Sequence, residues 1–291
     1  MTLDFLPNEI KGLFDNICVD KLFNIRLREG YLIECNYDFE NYYICKHGLS
    51  KNKIDAFICS NKLINQIILN VTENSFYAFD NQIKNGFLTT KEGVRIGLAG
   101  ECVFENGCIR TIKNISSLNI RIPHFIDNCS NSVFNYIINN SKICNTLIVS
   151  PPGFGKTTFL KDISIKLDKL FNYNILIIDE RGEFSTICGE HIDKISYSDK
   201  KFAFQYGIRS LSPQIIITDE LSTISDWSCC EEIIYSGLNI IASCHSDNIE
   251  QLKRKLQYKY FIFDRYIFLD SSKQAGVIKK VYDKDFVSIN E

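Results

Sequence analysis

The stretch Thr146-Leu147-Ile148-Val149-Ser150-Pro151-Pro152-Gly153-Phe154-Gly155-Lys156-Thr157-Thr158 constrains this chain more than any other. Thr146 to Val149 is an apolar run of the kind that fills a buried strand. A turn rich in Gly and Pro follows, and then Phe159, Leu160, Ile163, Leu167 and Leu170 recur at helical spacing. Strand, glycine-bearing loop, Lys-Thr and helix make the context of a phosphate-binding loop. Small residues let successive backbone N–H groups converge on phosphate oxygens, and the new helix directs its positive end at the same anion. Ser150, Pro151, Pro152, Gly153, Phe154, Gly155, Lys156, Thr157 and Thr158 are therefore the expected nucleotide-binding residues. Lys156 is expected to reach the β- and γ-phosphates of ATP, and the Thr157 hydroxyl to ligate Mg²⁺. The stretch departs from G-x-x-x-x-G-K-S/T at one position, where Ser150 stands in place of the first glycine. A surface turn with a solvated lysine is the competing reading; the flanking strand and helix weigh against it.

The rest of the chain puts polar groups where such a loop needs them. In an open parallel sheet, ligands sit beyond the carboxyl ends of the strands. Polar groups at expected strand ends are Ser150 to Thr157, Asp179 to Glu183, Asp219-Glu220 and Cys244-His245. Ile215-Ile216-Ile217-Thr218 running into Asp219-Glu220 has the pattern of a Walker B strand. Asp219 is expected to hold Mg²⁺, directly or through water, and Glu220 to act as general base on the attacking water. A charged strand end facing solvent is the plain alternative. Asn174 to Ile178 ends in Asp179-Glu180. Such a strand between the two Walker elements, with a glutamate beside the Walker B aspartate, points to the RecA/AAA-like branch of P-loop ATPases rather than to simple kinases or small GTPases. Glu180 is thereby a candidate catalytic residue, unless Asp179 and Glu180 form a surface salt-bridge cluster with Arg181. His245 ends a strand beside the expected site and is a candidate γ-phosphate sensor, although a lone histidine is as often structural. Phosphoryl transfer also calls for an arginine. Arg121, Arg209 and Arg95 are candidates that the residues alone do not rank.

The 291 residues suffice for two modest domains. Residues 1–128 read as an α+β unit. Leu6 to Phe14 and Leu63 to Val71 are helix candidates, the latter with apolar residues at helical spacing. Val94 to Ala99, Glu101 to Phe104 and Ile109 to Ile112 are strand candidates, with Asn106-Gly107 as a hairpin signal. Residues 129–291 alternate strands with helices, including helices Asn131 to Asn140 and Asn248 to Gln257, and end in a hairpin around Tyr266 to Leu269 and Gly276 to Val281. Residues 184–200 carry only weak signals. The expected architecture is α/β: a RecA-like P-loop NTPase core, its mostly parallel sheet covered by helices on both faces, preceded by a smaller α+β N-terminal domain. A net charge of −2 with no block of like charge argues against a nucleic-acid partner. The twelve cysteines are scattered without a C-x-x-C pair and read as small, reduced residues. No segment has the length of a membrane span, and Met1 to Ile10 has no basic and apolar leader pattern, so a cytoplasmic chain is expected.

Several stretches resemble the stage III sporulation protein AA family, which is related to the secretion ATPases of type II, type IV and pilus systems. They are Ile25-Arg26-Leu27-Arg28, Thr72-Glu73-Asn74-Ser75-Phe76-Tyr77-Ala78, Gly93-Val94-Arg95-Ile96-Gly97-Leu98-Ala99-Gly100 and Ile115-Ser116-Ser117-Leu118-Asn119-Ile120-Arg121-Ile122. The loop around Gly155-Lys156-Thr157-Thr158, Asp179-Glu180-Arg181 with Glu183, and Arg209-Ser210 with Ser212-Pro213 complete the set. The resemblance implies that Asp179-Glu180 correspond to an acidic box and His245 to a histidine box. It implies a self-assembled ring, a hexamer, with nucleotide between subunits and Arg121 as the arginine donor. It also implies a motor in the mother-cell cytoplasm, peripheral to the membrane facing the forespore, that works with the membrane proteins of a sporulation channel. The chain departs from the family between Gly182 and Arg209, where His191-Ile192-Asp193-Lys194-Ile195 and Tyr197-Ser198-Asp199 stand. The leading expectation is an ATP-hydrolysing, Mg²⁺-dependent secretion-type motor. A nucleic-acid-dependent RecA-like ATPase and a non-hydrolysing ATP-binding scaffold are the alternatives.

Overall fold

The structure, a computed structural model, describes residues 3–15, 17–105, 107–124, 126–139, 142–256, 262–270 and 277–289. Asn106 of the expected hairpin, and the expected element ends Asn140, Gln257 and Gly276, lie outside the described residues. Contacts along the chain separate two units, Met1–His124 and Phe125–Glu291.

In the first unit, α1 (Asn8–Lys11) leads through two short 3-10 turns, Gly12–Phe14 and Val19–Lys21, to β1 (Leu22–Arg28), β2 (Glu34–Tyr37), β3 (Glu40–Cys45) and β4 (Gly48–Ser50). Then come α2 (Asn61–Val71), α3 (Asp80–Lys84), β5 (Phe87–Thr89), β6 (Arg95–Glu105) and β7 (Cys108–Arg121). Among the described residues the strands form one antiparallel sheet in the order β4-β3-β2-β1-β7-β6-β5. The Ser60 hydroxyl accepts the Leu63 N–H at 3.1 Å and starts α2. Leu63, Ile64, Ile67, Ile68 and Val71 of that helix then fall on one face and pack on Ile25, Leu27, Ile96, Leu118 and Ile120 of the sheet.

The sequence suggests two strands over 94–104; the structure runs them as the single strand β6, paired with β7 along its length. Its register slips between Ala99 and Glu101. A Cβ on Gly100 would lie 2.6 Å from the Lys113 carbonyl oxygen and 2.9 Å from Ile115 Cα, both backbone atoms. Glycine there lets the two strands stay together across the irregularity.

The second unit begins with α4 (Asn131–Ile137), which ends sooner than its sequence suggests, where β8 (Ile138–Asn139) pairs with β9 (Lys142–Ile143). There follow β10 (Thr146–Ser150), α5 (Lys156–Phe171), β11 (Ile175–Asp179), β12 (Ile192–Ser196), α6 (Lys200–Leu211) and β13 (Ile215–Thr218). The unit closes with α7 (Ile224–Tyr235), β14 (Asn239–His245), α8 (Ile249–Leu256), β15 (Arg265–Leu269) and β16 (Ile278–Asp283). The sheet order is β12-β11-β13-β14-β10-β15-β16, parallel except for β16. β14 thus lies between β10, which carries the glycine loop, and β13, which carries Asp219-Glu220. β12 occupies part of the stretch with weak signals. Asp193 and Lys194 stand between Ile192 and Ile195, which pack half-buried on opposite faces of the sheet, so the strand shows no period-two alternation.

Period-two alternation sends neighbouring strand residues to opposite faces. Leu147, Val149, Leu176, Ile216 and Ala242 meet Phe204 of α6, Trp227 of α7 and Leu252 of α8. Ile148, Ile177, Ile217 and Ile241 meet Val133 of α4 and Phe159 and Ile163 of α5. Helices therefore cover both faces.

Gly100→Ala should lower the unfolding free energy by about 1–3 kcal/mol, because the added methyl has only backbone to displace. Gly97→Ala, whose Cβ meets nothing nearer than 3.8 Å, should shift it by less than about 1 kcal/mol. Urea titration of both variants checks this; equal stabilities would sink the account of Gly100.

Candidate functional site

Parallel register brings the carboxyl ends of the central strands to one edge. Ser150 stands opposite His245, and Ile178 opposite Thr218, one residue before Asp179 and Asp219 respectively. Ser150 is the last residue of β10 and is extended, so this position makes no demand that only glycine meets. The demand falls on Gly153 and Gly155, with φ of +85° and +80°, a region costly for residues with a Cβ. Gly155 caps α5, and Lys156 is its first residue.

Lys156 is buried at the centre of the cluster. Its ammonium donates to the carbonyls of Ser150 and Pro151 at 3.0 and 2.9 Å and lies 3.3 Å from Ser150 Oγ. It also lies 2.8 Å from His245 Nδ1. An ammonium is donor only, so Nδ1 accepts and the His245 proton sits on Nε2, which faces Glu220 Oε1 at 3.4 Å. Burial pulls the Lys156 pKa below the usual lysine range, while the charges of Asp219 and Glu220 oppose that shift.

Thr157 Oγ1 donates to one carboxylate oxygen of Asp219, and Ser243 Oγ donates to the other. The same Ser243 oxygen accepts the Glu220 N–H at 3.1 Å. A hydroxyl and a carboxylate oxygen side by side fit a Mg²⁺ ion that keeps its remaining positions for phosphate and water. Glu220 adopts φ of +54°, a left-handed conformation that a glutamate holds only where its surroundings impose it. The surroundings include Ser243, Lys200, which donates to the Glu220 carbonyl at 3.0 Å, and the capping box of α7, in which Thr223 and Asp226 exchange hydrogen bonds.

Asp179 is 3% exposed and accepts the N–H groups of Glu183 and Phe184 at 2.8 and 2.9 Å, folding residues 180–184 into a tight loop. Burial pushes its pKa above the ordinary value, against those two hydrogen bonds and the charge of Lys161. Lys161 lies one helical turn beyond Thr157 on the same face of α5, buried, its pKa lowered by burial and supported by Glu183, Asp179 and Asp219. The Glu180 carboxylate pairs with Lys200 at 2.8 Å, and Arg181 forms an ion pair with the Glu220 carboxylate. A cleft at this edge is lined by Asp179, Glu180, Arg181, Glu183, Lys200, Asp219 and Glu220.

The structure thus gathers Ser150, Pro151, Lys156, Thr157, Asp219, Glu220 and His245 into one bonded cluster and sets Glu180 on its rim through Lys200. Pro152, Gly153, Phe154 and Gly155 form the turn between, and Thr158 continues α5. Arg121 and Arg95 are register neighbours on β7 and β6 of the first unit, and Arg95 lies over the Phe87 ring at 4.1 Å. Arg209 is exposed near the end of α6. Lys200, Ser243, Lys161 and the Arg181–Glu220 pair were not evident from spacing. Lys161 and Lys200 are lysines without a motif, and Ser243 is legible only as the neighbour of a strand end.

The family model for sporulation stage III, protein AA, matches residues 3–289. Stage III sporulation protein AA of Bacillus subtilis (strain 168) is 32% identical over 302 residues, covering 97% of this chain and 94% of that protein. Among solved structures, the Legionella pneumophila ATPase DotB aligns with a TM-score of 0.63 at 12% identity, over 96% of this chain and 81% of its own. The pilus retraction motor PilT, solved with bound ADP, aligns with a TM-score of 0.59 at 13% identity, over 86% and 74%. At these identities the likeness to the solved structures is one of fold, that of RecA-like secretion ATPases.

Asp179→Asn keeps one acceptor but turns an NH₂ toward a backbone N–H, a loss of about 1–3 kcal/mol. A carboxyl whose folded pKa is raised contributes its stability below the unfolded value of about 3.9 and loses it as pH rises through the folded value. The wild-type advantage over Asp179→Asn should therefore be greatest at the acid end and narrow as pH rises. Urea unfolding over a series of pH values rising from about 3.9 tests this; a gap that widens with pH would refute it.

Proposed function

The chain belongs to the sporulation stage III, protein AA, family, and from that premise we propose that it is a Mg²⁺-dependent ATPase of the secretion-motor kind, acting in endospore formation. The observation that carries this reading is the bonded sequence Thr157–Asp219–Ser243–Glu220–His245–Lys156, which spans a glycine loop and two strand ends.

In this reading the backbone N–H groups at the start of α5 and the Lys156 ammonium hold the β- and γ-phosphates of ATP. Thr157 and Asp219 hold Mg²⁺, which when bound neutralises charge on the phosphate oxygens. The Glu220 carboxylate takes the proton of the attacking water as the water oxygen bonds to the γ-phosphorus and ADP leaves. His245, with its Nε2 proton toward Glu220 and its Nδ1 toward Lys156, reports on whether a γ-phosphate stands between them. Glu180, fixed by Lys200, borders the cleft. The protein assembles as a ring, a hexamer, on the mother-cell side of the membrane facing the forespore. Its N-terminal units transmit nucleotide exchange to membrane proteins of the sporulation channel. The family match and the secretion-ATPase fold support that assembly, and no helix among the described residues is long and apolar enough to cross a membrane.

ATP hydrolysis per subunit, followed as protein concentration rises, tests the reading. Wild type should turn over Mg–ATP with a specific rate that climbs as rings form. Glu220→Gln should lose about 10²–10⁴-fold, and Lys156→Ala should lose binding as well. Single-stranded DNA or RNA should leave the rate unchanged. A chain that binds ATP but turns it over no faster than Glu220→Gln is a scaffold, and the motor reading fails.

A further inference from the structure

The sequence leaves open which arginine serves the γ-phosphate, and the structure supplies a candidate that spacing did not. Arg181 follows Glu180 on the loop that Asp179 ties down through the N–H groups of Glu183 and Phe184. Gly182, at φ of +73°, packs so closely under the Tyr197 ring that a Cβ would overlap it. The backbone on both sides of Arg181 is therefore fixed. Its side chain is not: it is 53% exposed, and its guanidinium pairs with the Glu220 carboxylate at the rim of the cleft.

That pairing bears on the chemistry. Glu220 is the carboxylate assigned to receive the proton of the attacking water. A guanidinium sits on its Oε2, and His245 Nε2 lies 3.4 Å from its Oε1. The guanidinium takes up lone-pair capacity on Oε2 that the attacking water would otherwise use. The γ-phosphate of ATP, held next to Lys156 and hence to His245, brings anionic oxygens to the same place. A guanidinium matches a phosphate in bidentate fashion, and a half-exposed ion pair is weak enough to be exchanged.

We infer that Arg181 is the arginine of this site, supplied by the same chain that binds the nucleotide: it covers Glu220 before ATP enters and moves to the γ-phosphate as ATP binds, so that substrate binding frees the base. The inference rests on the ATPase reading above and deepens it. Once on the γ-phosphate, the arginine stabilises charge on the transferring phosphoryl group. Among the described residues, Arg181 is the arginine that an ion pair joins to Glu220.

The test uses the full-length chain and Arg181→Ala, Arg181→Lys and Lys156→Ala variants. Binding of ADP and of the slowly hydrolysed analogue ATPγS is measured by calorimetry with Mg²⁺ present. Arg181→Ala should bind ADP as wild type does and ATPγS about tenfold more weakly, because only the latter has a γ-phosphate to lose. Its turnover should fall about 10³-fold or more, with Arg181→Lys recovering little for want of the planar fork. An equimolar mixture of Arg181→Ala and Lys156→Ala chains should turn over no faster than its components. Recovery in the mixture would show an arginine lent by the neighbouring subunit and would overturn the proposal. Unchanged ATPγS binding and turnover in Arg181→Ala would overturn it too, while leaving the ATPase reading intact. A wild-type chain that binds neither nucleotide would overturn both.

Discussion

A parallel strand in the middle of a sheet is buried on both faces, and this one constraint arranges the candidate site. Every residue of β10, β11 and β13 is buried, so these strands are nearly all apolar. Their backbone groups are spent on the ladder, and helices seal both sides. A polar side chain can then be accommodated only where a strand ends. Because the strands are parallel and nearly in register, their carboxyl ends reach the same edge. β10 sits between β14 and β15, so the start of α5 opens at the centre of that edge, flanked by His245 on one neighbour and Asp219-Glu220 one strand further. The convergence of lysine, hydroxyl, carboxylates and imidazole follows from where an apolar sheet must stop.

Concentrating ionisable groups in a half-buried place is costly unless each has a partner. The site answers with interlocking contacts. Lys156 is met by two carbonyls and an imidazole, Asp179 by two backbone N–H groups, Asp219 by two hydroxyls, and Lys200 by a carboxylate and a carbonyl. The pKa directions report the remaining tension. Burial lowers Lys156 and Lys161 and raises Asp179, and in each case neighbouring opposite charges oppose the shift. Groups held this way reorganise little when charge appears, which is what electrostatic stabilisation of a phosphoryl group asks of its surroundings.

Much of this was legible beforehand, for reasons that also explain what was not. The glycine loop, the acids after apolar runs and the amphipathic helix Asn61–Val71 announce themselves because their physics is local: a turn needing positive φ, a buried run, a helical stripe. β12 was hidden because Ile192 and Ile195 pack half-buried on opposite faces with Asp193 and Lys194 between them, so it shows neither alternation nor an apolar run. The continuity of β6 past Gly100 was hidden because a register slip depends on the partner strand. Lys200 and Arg181 were invisible as site residues because nothing in their spacing distinguishes a bound charge from a solvated one. Arg181 could be read beforehand as part of a salt-bridge cluster; which carboxylate it meets depends on strands β11 and β13 lying side by side.

The magnitudes of these ion pairs decide which parts of the site can move. The side chain of Lys200 is 7% exposed and is bonded both to a carboxylate and to the Glu220 carbonyl. Removing it from those partners would leave a buried ammonium unpaired, a cost of several kcal/mol. The Arg181–Glu220 pair faces solvent and is worth about 1 kcal/mol at most. An anion offering charge-assisted, bidentate hydrogen bonds outbids the second pair and not the first. The backbone of Glu220, with its left-handed φ, therefore belongs to the fixed frame along with Lys200 and Ser243, and only the carboxylate's partner is exchangeable. If Arg181 changes partner as proposed while this frame stays put, the arrival of a γ-phosphate would be read at Glu220 without moving the strand that carries it.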